Sequence, residues 1–361
     1  MRFVSCFGSM DSTSNVVIFR IGSIGDTVVA LPCLHAIART FSRQRRILLT
    51  NTVDTTRQSS VETLLQGTGL VHETLYFPAG GGTLRDSWAL ARQLRKLNPQ
   101  ILVHLTPRTT ALQVYRDLLF FTAAGIRNIV GAPVSSSLRE CNVDPETGAL
   151  EHEAERLARI IAPGIRVDLD RPGWDLRLSE AEERTAERCL SGLPPWRPLV
   201  AVAPGSRVAA KDWGEARWDA LIGLLRQRLP AVSLVFVGAT DERALVERLS
   251  AQWPGAKLNL CGMLTPRESA AVLGKCNLLL CHDSGPMHLA ASRGTRCIAL
   301  FGHFNRPRQW FPYGSDHTVI HHAEGVQTIR VEQVAEAVEV AVLAIEGDVA
   351  PRLDWADASL G

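Results

Sequence analysis

Several features that assign proteins to classes are missing from the sequence. It contains no run of about 18 apolar residues, so no membrane-spanning helix is expected. Cysteine is scarce. The eight cysteines include no CxxC pair, which argues against a disulfide scaffold, a zinc ribbon and a thioredoxin-type redox site. We expect reduced, mostly buried thiols. The P-loop, GxSxG and HExxH motifs are absent as well.

The excess of one charge sign is also small. The 361 residues include 39 Lys and Arg against 37 Asp and Glu, a formal net charge of +2 at pH 7. This balance does not support nucleic-acid binding by the whole protein, and no nucleic-acid partner is expected. Hydrophobic residues at 46% and charged residues at 21% are typical of a folded globular chain.

The length favours two domains, because one hydrophobic core seldom serves so many residues. A stretch rich in proline, glycine and charge separates two halves with similar patterns. The N-terminal stretch has no long apolar core and does not resemble a secretory signal. The predicted division is a short disordered lead at 1–15, an N-terminal domain at 16–165, an interdomain connection at 166–198, a C-terminal domain at 199–346 and a loose tail at 347–361.

Strands and helices alternate in both halves, which predicts an α/β fold with parallel sheets covered on both faces. Short apolar runs predict strands at 16–19, 47–49, 101–103, 199–202, 232–237, 258–260, 278–281 and 296–300. Helices are predicted at 27–40, 57–66, 84–97, 110–124, 218–228, 241–252, 266–273, 286–293 and 331–345. Ligands of such folds bind beyond the carboxyl ends of strands, here expected in a cleft between the halves.

A glycine turn follows the first predicted strand. Gly22, Ser23 and Gly25 allow close approach of a ligand to the backbone, and Asp26 falls at the start of the next helix. Two interpretations of Asp26 stay open. It can cap the helix, where free N–H groups stabilise a carboxylate, or it can act as a general base.

The second group of candidates follows the strand at 199–202. Ser206, Arg207 and Lys211 combine a hydroxyl and two cations in one short loop, a combination that suits a diphosphate. The alternative is a solvated loop with two surface charges. Because the loop follows the carboxyl end of a strand, phosphate binding is favoured.

The third group is the segment from Asp283 to His288. Ser284 can cap a helix that begins near Gly285 and Pro286, which would create an anion site at the helix N-terminus, with His288 one turn further on. The alternative makes Asp283 and Ser284 plain capping residues and His288 a core histidine. The dense mixture of polar and small residues favours a site.

Together these segments resemble glycosyltransferase family 9, the ADP-heptose:lipopolysaccharide heptosyltransferases. The resemblance covers roughly residues 16–345 and includes Leu300-Phe301-Gly302. Its most specific part is the run Asp283-Ser284-Gly285-Pro286-Met287-His288-Leu289-Ala290-Ala291, and the loop from Gly22 to Asp26 is the next most specific. It implies a GT-B fold of two Rossmann-like domains across a cleft. It also implies an inverting transfer of heptose from ADP-heptose to a lipopolysaccharide acceptor. The protein would be cytoplasmic and peripheral to the inner membrane.

The resemblance also implies roles for individual residues. Asp26 matches the catalytic base, and Ser206, Arg207 and Lys211 match the loop that holds the donor diphosphate. Asp283 matches a contact to the heptose, and Ser284, Gly285 and His288 match the helix start beneath the phosphates. Glu242 matches an acidic contact to the nucleotide ribose, for which Asp241 is an equal candidate by position.

No metal and no cofactor are expected beyond the nucleotide sugar itself. The sequence contains one DxD run, Asp168-Leu169-Asp170, which can bind a metal in sugar transferases. It lies in the predicted connection, away from any strand-end glycine loop. Cations and a helix dipole can stabilise a leaving diphosphate without a metal.

The acceptor is expected to be an anionic glycolipid that meets the glycine turn at Gly22, Ser23 and Gly25. Arg43, Arg45 and Arg46 cluster after the first helix, and Arg57 follows shortly after. This group could contact acidic sugars, lipid phosphates or the inner-membrane surface. The alternative is a solvated helix end whose cations favour the helix dipole.

One loop departs from the family pattern. Many members continue Phe-Gly with Pro-Thr and then Asp-Pro, whereas this chain has His303, Phe304, Asn305, Arg306 and Pro307. The departure leaves another nucleotide sugar as an alternative donor. A nucleotide-sugar epimerase and a non-catalytic sugar-nucleotide binder are the alternatives to a transferase.

Overall fold

The computed structural model describes residues 14–52, 59–78, 82–146 and 148–348. The chain forms two compact units. The first comprises Met1–Ser179 together with Pro307–Trp310, and the second comprises Glu180–Arg306 together with Phe311–Gly361. The division after Ser179 lies inside the predicted connection at 166–198. Residues 307–310 belong to the first unit, whereas the predicted division places them in the C-terminal domain.

The first unit is built on a five-stranded sheet in the order β3-β2-β1-β4-β5, with all neighbours parallel. Its elements are β1 (Asn15–Phe19), α1 (Ile24–Val29), α2 (Leu31–Thr40), β2 (Arg45–Asn51), α3 (Ser59–Leu65), β3 (Glu73–Phe77), α4 (Leu84–Leu97), β4 (Pro99–His104), α5 (Ala111–Ala123), β5 (Asn128–Val130), α6 (Ser136–Arg139) and α7 (Glu153–Ile161).

The second unit is built on a six-stranded sheet in the order β11-β10-β9-β6-β7-β8, again with parallel neighbours. Its elements are α8 (Glu180–Leu190), β6 (Leu199–Ala203), α9 (Glu215–Arg228), β7 (Ser233–Phe236), α10 (Arg243–Ala251), β8 (Lys257–Asn259), α11 (Pro266–Lys275), β9 (Leu278–His282), α12 (Gly285–Ser292), β10 (Arg296–Phe301), β11 (Thr318–His321) and α13 (Val331–Asp348).

Most predicted elements are confirmed, and α4 has the predicted bounds. The prediction of one helix over 27–40 is wrong, because the chain breaks at Ala30 into α1 and α2. Pro32 explains the break. It has no N–H to donate to the preceding turn, but it is well accommodated near the start of a new helix.

Both units are doubly wound sheets, which confirms the predicted α/β class. The strand order reverses between β1 and β4 in the first unit and between β6 and β9 in the second. Ligands of open α/β sheets bind at such reversal points, beyond the carboxyl ends of the strands. The loops that matter are therefore those after β1 and β4 in one unit and those after β6 and β9 in the other.

Cores of aliphatic and aromatic side chains hold the helices on the sheets. In the first unit, Val17, Phe19 and Leu102 pack with Phe121 and Leu94 from α5 and α4. In the part of the chain that the structure describes, no helix is long and apolar enough to cross a membrane.

The cysteines of the described residues are all free, as expected. Five of them are buried, namely Cys33, Cys261, Cys276, Cys281 and Cys297. Burial raises the pKa of Cys33 to about 12. A thiol with so high a pKa is not a nucleophile at neutral pH.

Candidate functional site

The loop between β1 and α1 is shaped by Gly22. Gly22 has a φ of +152°, and a Cβ atom at this position would lie 2.4 Å from Cβ of Asp26. Only glycine fits there without displacing the aspartate. The loop is also tied to the end of β4, because Ile21 donates its N–H to Oγ1 of Thr106 at 3.1 Å. The sequence therefore fixes Asp26 at the reversal point of the first sheet.

Asp26 makes two short hydrogen bonds with the residue before the helix. Its Oδ2 accepts from the backbone N–H and from the hydroxyl of Ser23, both at 2.7 Å. Its Oδ1 lies 3.7 Å from Nη2 of Arg20. A carboxylate oxygen offers two acceptor positions, so Oδ1 retains capacity to accept a further hydrogen bond. The side chain is 27% exposed, which leaves it reachable from solvent.

The same capping geometry occurs at the start of α4. Oδ2 of Asp86 accepts from the backbone N–H and the hydroxyl of Thr83, again both at 2.7 Å. These bonds hold the pKa of Asp86 below its usual value. Capping alone therefore does not distinguish Asp26. What distinguishes it is the buried guanidinium of Arg20, which donates to the backbone oxygens of Asp26 and Leu105, each at 2.7 Å.

A buried polar cluster lies at the end of β4. Asp117 on α5 accepts from Nε of Arg108 at 2.6 Å and contacts Nε2 of His104 at 3.3 Å. Burial acts to raise the pKa of Asp117, but the bonds from His104 and Arg108 outweigh it and lower the pKa. Burial lowers the pKa of His104. Sequence reasoning missed this cluster, because its members are up to thirteen positions apart and form no motif. A histidine at the end of an apolar strand was the only available signal.

The predicted arginine cluster is dispersed in the structure. Arg46 is buried and donates to the backbone oxygens of Leu70, Phe41 and Gly69, so it holds the chain together. Arg45 pairs with Glu73 at 2.6 Å.

Arg43 is exposed and precedes β2, at the amino-terminal edge of the sheet. Asp26 lies at the opposite, carboxyl edge, so the structure does not bring these two residues together. Arg57 lies outside the described residues.

The loop after β6 is held by a neutral histidine. His282, the last residue of β9, accepts the backbone N–H of Trp213 on Nε2 at 3.0 Å. Its Nδ1 therefore carries the proton and faces the backbone oxygen of Gly205 at 3.4 Å. Burial lowers the pKa of His282 to about 4, so the ring is uncharged at neutral pH. Nothing in the sequence had singled out this positioning role.

Lys211 and Asp283 form the charged centre of the second unit. Nζ of Lys211 lies 2.5 Å from Oδ2 of Asp283, and the amide of Asn305 donates to the same oxygen. The ring of Phe304 covers the ammonium, with 4.7 Å from Nζ to the ring centroid. Asp283 is almost buried, whereas Lys211 is one-fifth exposed. The structure thus brings together the second and third predicted groups and the loop that departs from the family pattern.

The other predicted residues of these groups differ in placement. Ser206 hydrogen-bonds within its own loop, to the backbone oxygen of Val208 at 3.0 Å, and Arg207 is exposed. Ser284 occupies the N-cap position of α12, but its hydroxyl donates to the backbone oxygen of His282 and does not cap the helix. Gly285 and Pro286 begin α12 as predicted, and His288 is buried.

Glu242 lies against the carboxyl ends of β6 and β7. A Cβ atom on Gly205 would lie 2.0 Å from Cδ of Glu242, and one on Gly238 would lie 2.1 Å from its Oε2. The carboxylate accepts the backbone N–H of Ala239 at 2.8 Å. Burial raises the pKa of Glu242. Asp241 and Glu242 are the two candidates for the acidic contact to the ribose. Glu242 lies against the glycine loops, whereas Asp241 is exposed.

The DxD run carries no metal-binding geometry. Asp168 and Asp170 are exposed, and Oδ1 of Asp168 accepts the backbone N–H of Asp170 at 3.0 Å. Within the described ranges, no group of three His, Cys, Asp or Glu side chains is arranged to hold a metal ion.

The second unit has cations and a helix start at its reversal point, and the first has a carboxylate at its own. Two doubly wound units with these features are typical of the GT-B class of glycosyltransferases. The family model described as glycosyltransferase family 9 (heptosyltransferase) matches residues 118–338, more than half of the chain. The chain therefore belongs to glycosyltransferase family 9, and the class predicted from the sequence is confirmed.

Individual relatives agree with this assignment. The lipopolysaccharide core heptosyltransferase OpsX of Haemophilus influenzae is 27% identical over 166 residues, which are 45% of this chain and 46% of that protein. The matched segment thus spans about half the length of this curated relative.

Solved structures share the fold over nearly the whole chain. A family 9 glycosyltransferase from Veillonella parvula superposes with a TM-score of 0.71 at 19% identity, over 93% of this chain and 99% of that one. The heptosyltransferase WaaC of Escherichia coli with ADP-2-deoxy-2-fluoro heptose gives a TM-score of 0.62 at 16% identity, over 90% and 99%. These similarities confirm the predicted GT-B fold class.

Proposed function

We propose that the protein transfers a heptose from ADP-heptose to a lipopolysaccharide-core acceptor, with inversion and without a metal. The observation that carries the proposal is the contact of Lys211 with Asp283 at the reversal point of the second sheet, beside the start of α12. This arrangement offers a cation to a diphosphate and a carboxylate to sugar hydroxyls within one short distance.

The second unit binds the donor in this proposal. Lys211 and Arg207 supply positive charge to the diphosphate, and the first N–H groups of α12, from Gly285 onward, add the helix dipole. Asp283 accepts hydrogen bonds from the heptose, and Glu242 accepts them from the ribose. The relative WaaC, whose structure contains ADP-2-deoxy-2-fluoro heptose, supports ADP-heptose as the donor.

The first unit supplies the base. Oδ1 of Asp26 takes the proton of the acceptor hydroxyl while that oxygen forms the bond to the anomeric carbon. The bond from the anomeric carbon to the diphosphate breaks, and ADP leaves with both electrons. A single displacement of this kind inverts the anomeric configuration. Lys211 and the start of α12 stabilise the charge that develops on ADP, which is the work a metal would otherwise do.

The proposed acceptor is an anionic glycolipid, and the proposed place of action is the cytoplasmic face of the inner membrane. Half-buried Gly22 and exposed Ser23 form the backbone surface next to Asp26 that the acceptor would meet. Gly25 is left out of this acceptor site, because it is buried in the first turn of α1. Arg43 is left out of this acceptor site, because the topology places it at the opposite edge of the sheet.

A second candidate donor is favoured by one observation. Asn305 replaces an acidic residue of the common family pattern and hydrogen-bonds to Asp283, and Phe304 covers Lys211. A loop that contacts the sugar-binding carboxylate in this way can select a different sugar. The runner-up proposal is therefore transfer from another nucleotide sugar on the same fold.

A thermal-shift titration with ADP, GDP, UDP, CDP and dTDP separates the two donors. A ligand that binds only the folded state, at a concentration of about 100 times its Kd, raises the free energy of unfolding by about 2.7 kcal/mol. We expect ADP to raise the melting temperature most. Stabilisation by another nucleotide in place of ADP contradicts the ADP-heptose assignment and leaves the transferase fold intact.

The position of Glu242 gives a further test of the donor site. Gly205→Ala places a methyl group where the Glu242 carboxylate lies, so the carboxylate must move away from the glycine loops. We expect the affinity for ADP to fall by about 10- to 100-fold, the value of one charged hydrogen bond. Isothermal titration with ADP measures this change.

Gly192→Ala is the matched control for Gly205→Ala. A Cβ atom at Gly192 meets nothing within 4 Å, so the added methyl group is accommodated in open space. This variant should bind ADP like the unmodified protein. Equal ADP affinity for both variants would remove Glu242 from the donor site.

A further inference from the structure

Helix α5 presents a stripe of large apolar side chains to solvent. Leu112 is 80% exposed, Tyr115 is 55% exposed and Leu119 is 72% exposed. Their spacing of three and then four residues places them on one side of the helix, because residues so spaced lie above one another. The opposite side carries Val114 and Phe121, which are buried in the core. The stripe is therefore not the packing face of the helix.

Helix α4 continues this exposed surface. Leu84 is 88% exposed and Trp88, one turn later, is 64% exposed. Arg95 follows Trp88 by two turns on the same side, and its Nη2 donates to the backbone oxygen of Ala123 at the end of α5, at 2.6 Å. That contact shows that this side of α4 faces α5. We call the joint surface the α4–α5 patch, formed by Leu84, Trp88, Leu112, Tyr115 and Leu119.

The patch carries positive charge at its margins. The exposed cations on the two helices are Arg85, Arg92, Arg95, Lys96 and Arg116. The two helices carry only two acidic side chains. Asp86 is bonded to Thr83 at the start of α4, and Asp117 is buried with His104 and Arg108 and also contacts Nη2 of Arg116 at 3.5 Å. The charge that the two helices expose is thus mostly positive.

We propose that the α4–α5 patch docks the protein on an anionic lipid bilayer. Charge complementarity favours this occupant, because exposed cations around leucines, a tryptophan and a tyrosine match acidic headgroups above an apolar layer. A second copy of the chain fits poorly, since a two-fold contact through the patch would set arginine against arginine. This inference rests on the proposed function in one respect, which is that the acceptor is a lipid.

The patch also has a suitable place in the first unit. Helices α4 and α5 start after β3 and β4, and therefore at the carboxyl edge of the sheet, where Asp26 follows β1. Leu84 and Leu112 are the first and second residues of their helices and lie nearest that edge. Docking through the patch would bring the base close to the plane in which lipid-linked sugars begin.

Vesicle flotation tests the proposal with the full chain. The probes are vesicles of phosphatidylcholine alone and of phosphatidylcholine mixed with phosphatidylglycerol. The unmodified protein should float with the mixed vesicles and much less with the neutral ones. The triple variant Leu112→Gln, Tyr115→Gln and Leu119→Gln should lower the partition by more than about tenfold, because it removes apolar area that would leave water. Glutamine is a good helix former, so α5 should remain folded.

Two comparisons make the outcome specific. The variant Val340→Gln with Leu343→Gln removes exposed apolar side chains from α13 and should leave flotation unchanged. Arg85→Gln with Arg92→Gln should weaken binding to the mixed vesicles by about fivefold for each cation. It should leave binding to the neutral ones unaltered.

Failure of this inference can be told apart from failure of the proposed function. Stabilisation by ADP and transfer to a short, lipid-free acceptor depend on the catalytic residues and should survive in the triple variant. Flotation that is equal for the triple variant and the unmodified protein would overturn the docking surface. So would an unmodified protein that ignores both vesicles, or a dimer in light scattering that the triple variant converts to monomer.

Discussion

Asp26→Asn should lower the rate of heptosyl transfer by about 10²- to 10⁴-fold, the usual contribution of a general base. The substitution keeps the size of the side chain and an oxygen that can accept from the Ser23 N–H, but it removes the basic oxygen beside Arg20. The acceptor hydroxyl then keeps its proton as it attacks the anomeric carbon. Initial rates of ADP release with a saturating acceptor measure the loss.

Asp86→Asn is the control that the fold itself provides. Asp86 caps α4 through Thr83 with the same two contacts and the same distances that Asp26 makes with Ser23. If capping were the whole role of Asp26, both substitutions would shift the melting temperature alike and neither would slow transfer. We expect similar melting temperatures but a rate loss at Asp26 alone, measured with a lipid-free acceptor. Full activity in Asp26→Asn would assign the base to another residue.

Lys211→Met should lower kcat/KM by about 10²- to 10³-fold, the value of one preorganised group that stabilises developing charge. Methionine preserves much of the length and apolar body of lysine but has no charge to offer to the diphosphate. The increase in melting temperature that ADP causes should also be smaller in this variant. Asp283 keeps the hydrogen bond from the amide of Asn305, so its carboxylate is not left without a donor.

Lys275→Met separates this role from the general loss of an ion pair. Lys275, the last residue of α11, pairs with Glu187 at 3.1 Å within the same unit. It precedes β9 and therefore lies at the amino-terminal edge of the sheet, opposite the carboxyl ends that Lys211 follows. This variant should keep both kcat/KM and ADP binding. Lys211→Arg should recover part of the activity, because a guanidinium also binds phosphate. Equal kinetics for Lys211→Met and the unmodified protein would remove Lys211 from the donor site.

Much of the fold could be predicted from local pattern. The central strands β1, β4, β6 and β9 are buried except for one residue at or near the start of β1, β4 and β6, so their sequences contain short, continuous apolar runs. The strands that were missed, β3, β5 and β11, lie at the edges of the sheets. An edge strand has one neighbour, and its mixed exposure gives no clear run.

The site was predictable where its residues are contiguous in sequence. The loops around Asp26, Lys211 and Asp283 each carry glycine and polar residues directly after a buried strand, and parallel strands bring their carboxyl ends to one edge. Contacts between distant residues could not be predicted. The ring of Phe304 over Lys211 and the His104–Asp117 pair depend on tertiary packing and leave no periodic trace in the sequence.

The arginine cluster shows why proximity in sequence is a weak guide. Arg45 and Arg46 are adjacent, but alternation along β2 sends one side chain to the surface and the other into the protein. The buried one, Arg46, is stabilised by backbone oxygens, a role that charge counting does not reveal. Arg43 precedes β2 and Asp26 follows β1, so the two residues lie at opposite ends of neighbouring parallel strands.

The central claim is acceptor-dependent transfer from ADP-heptose, and ADP release measures it most directly. The protein is incubated with ADP-heptose, with and without a lipopolysaccharide-core acceptor, and the anomeric configuration of the product is read by NMR. The account predicts ADP release only when the acceptor is present, and a product whose anomeric configuration is inverted. Turnover of the donor at the same rate without acceptor, as an epimerase or a hydrolase would show, contradicts it.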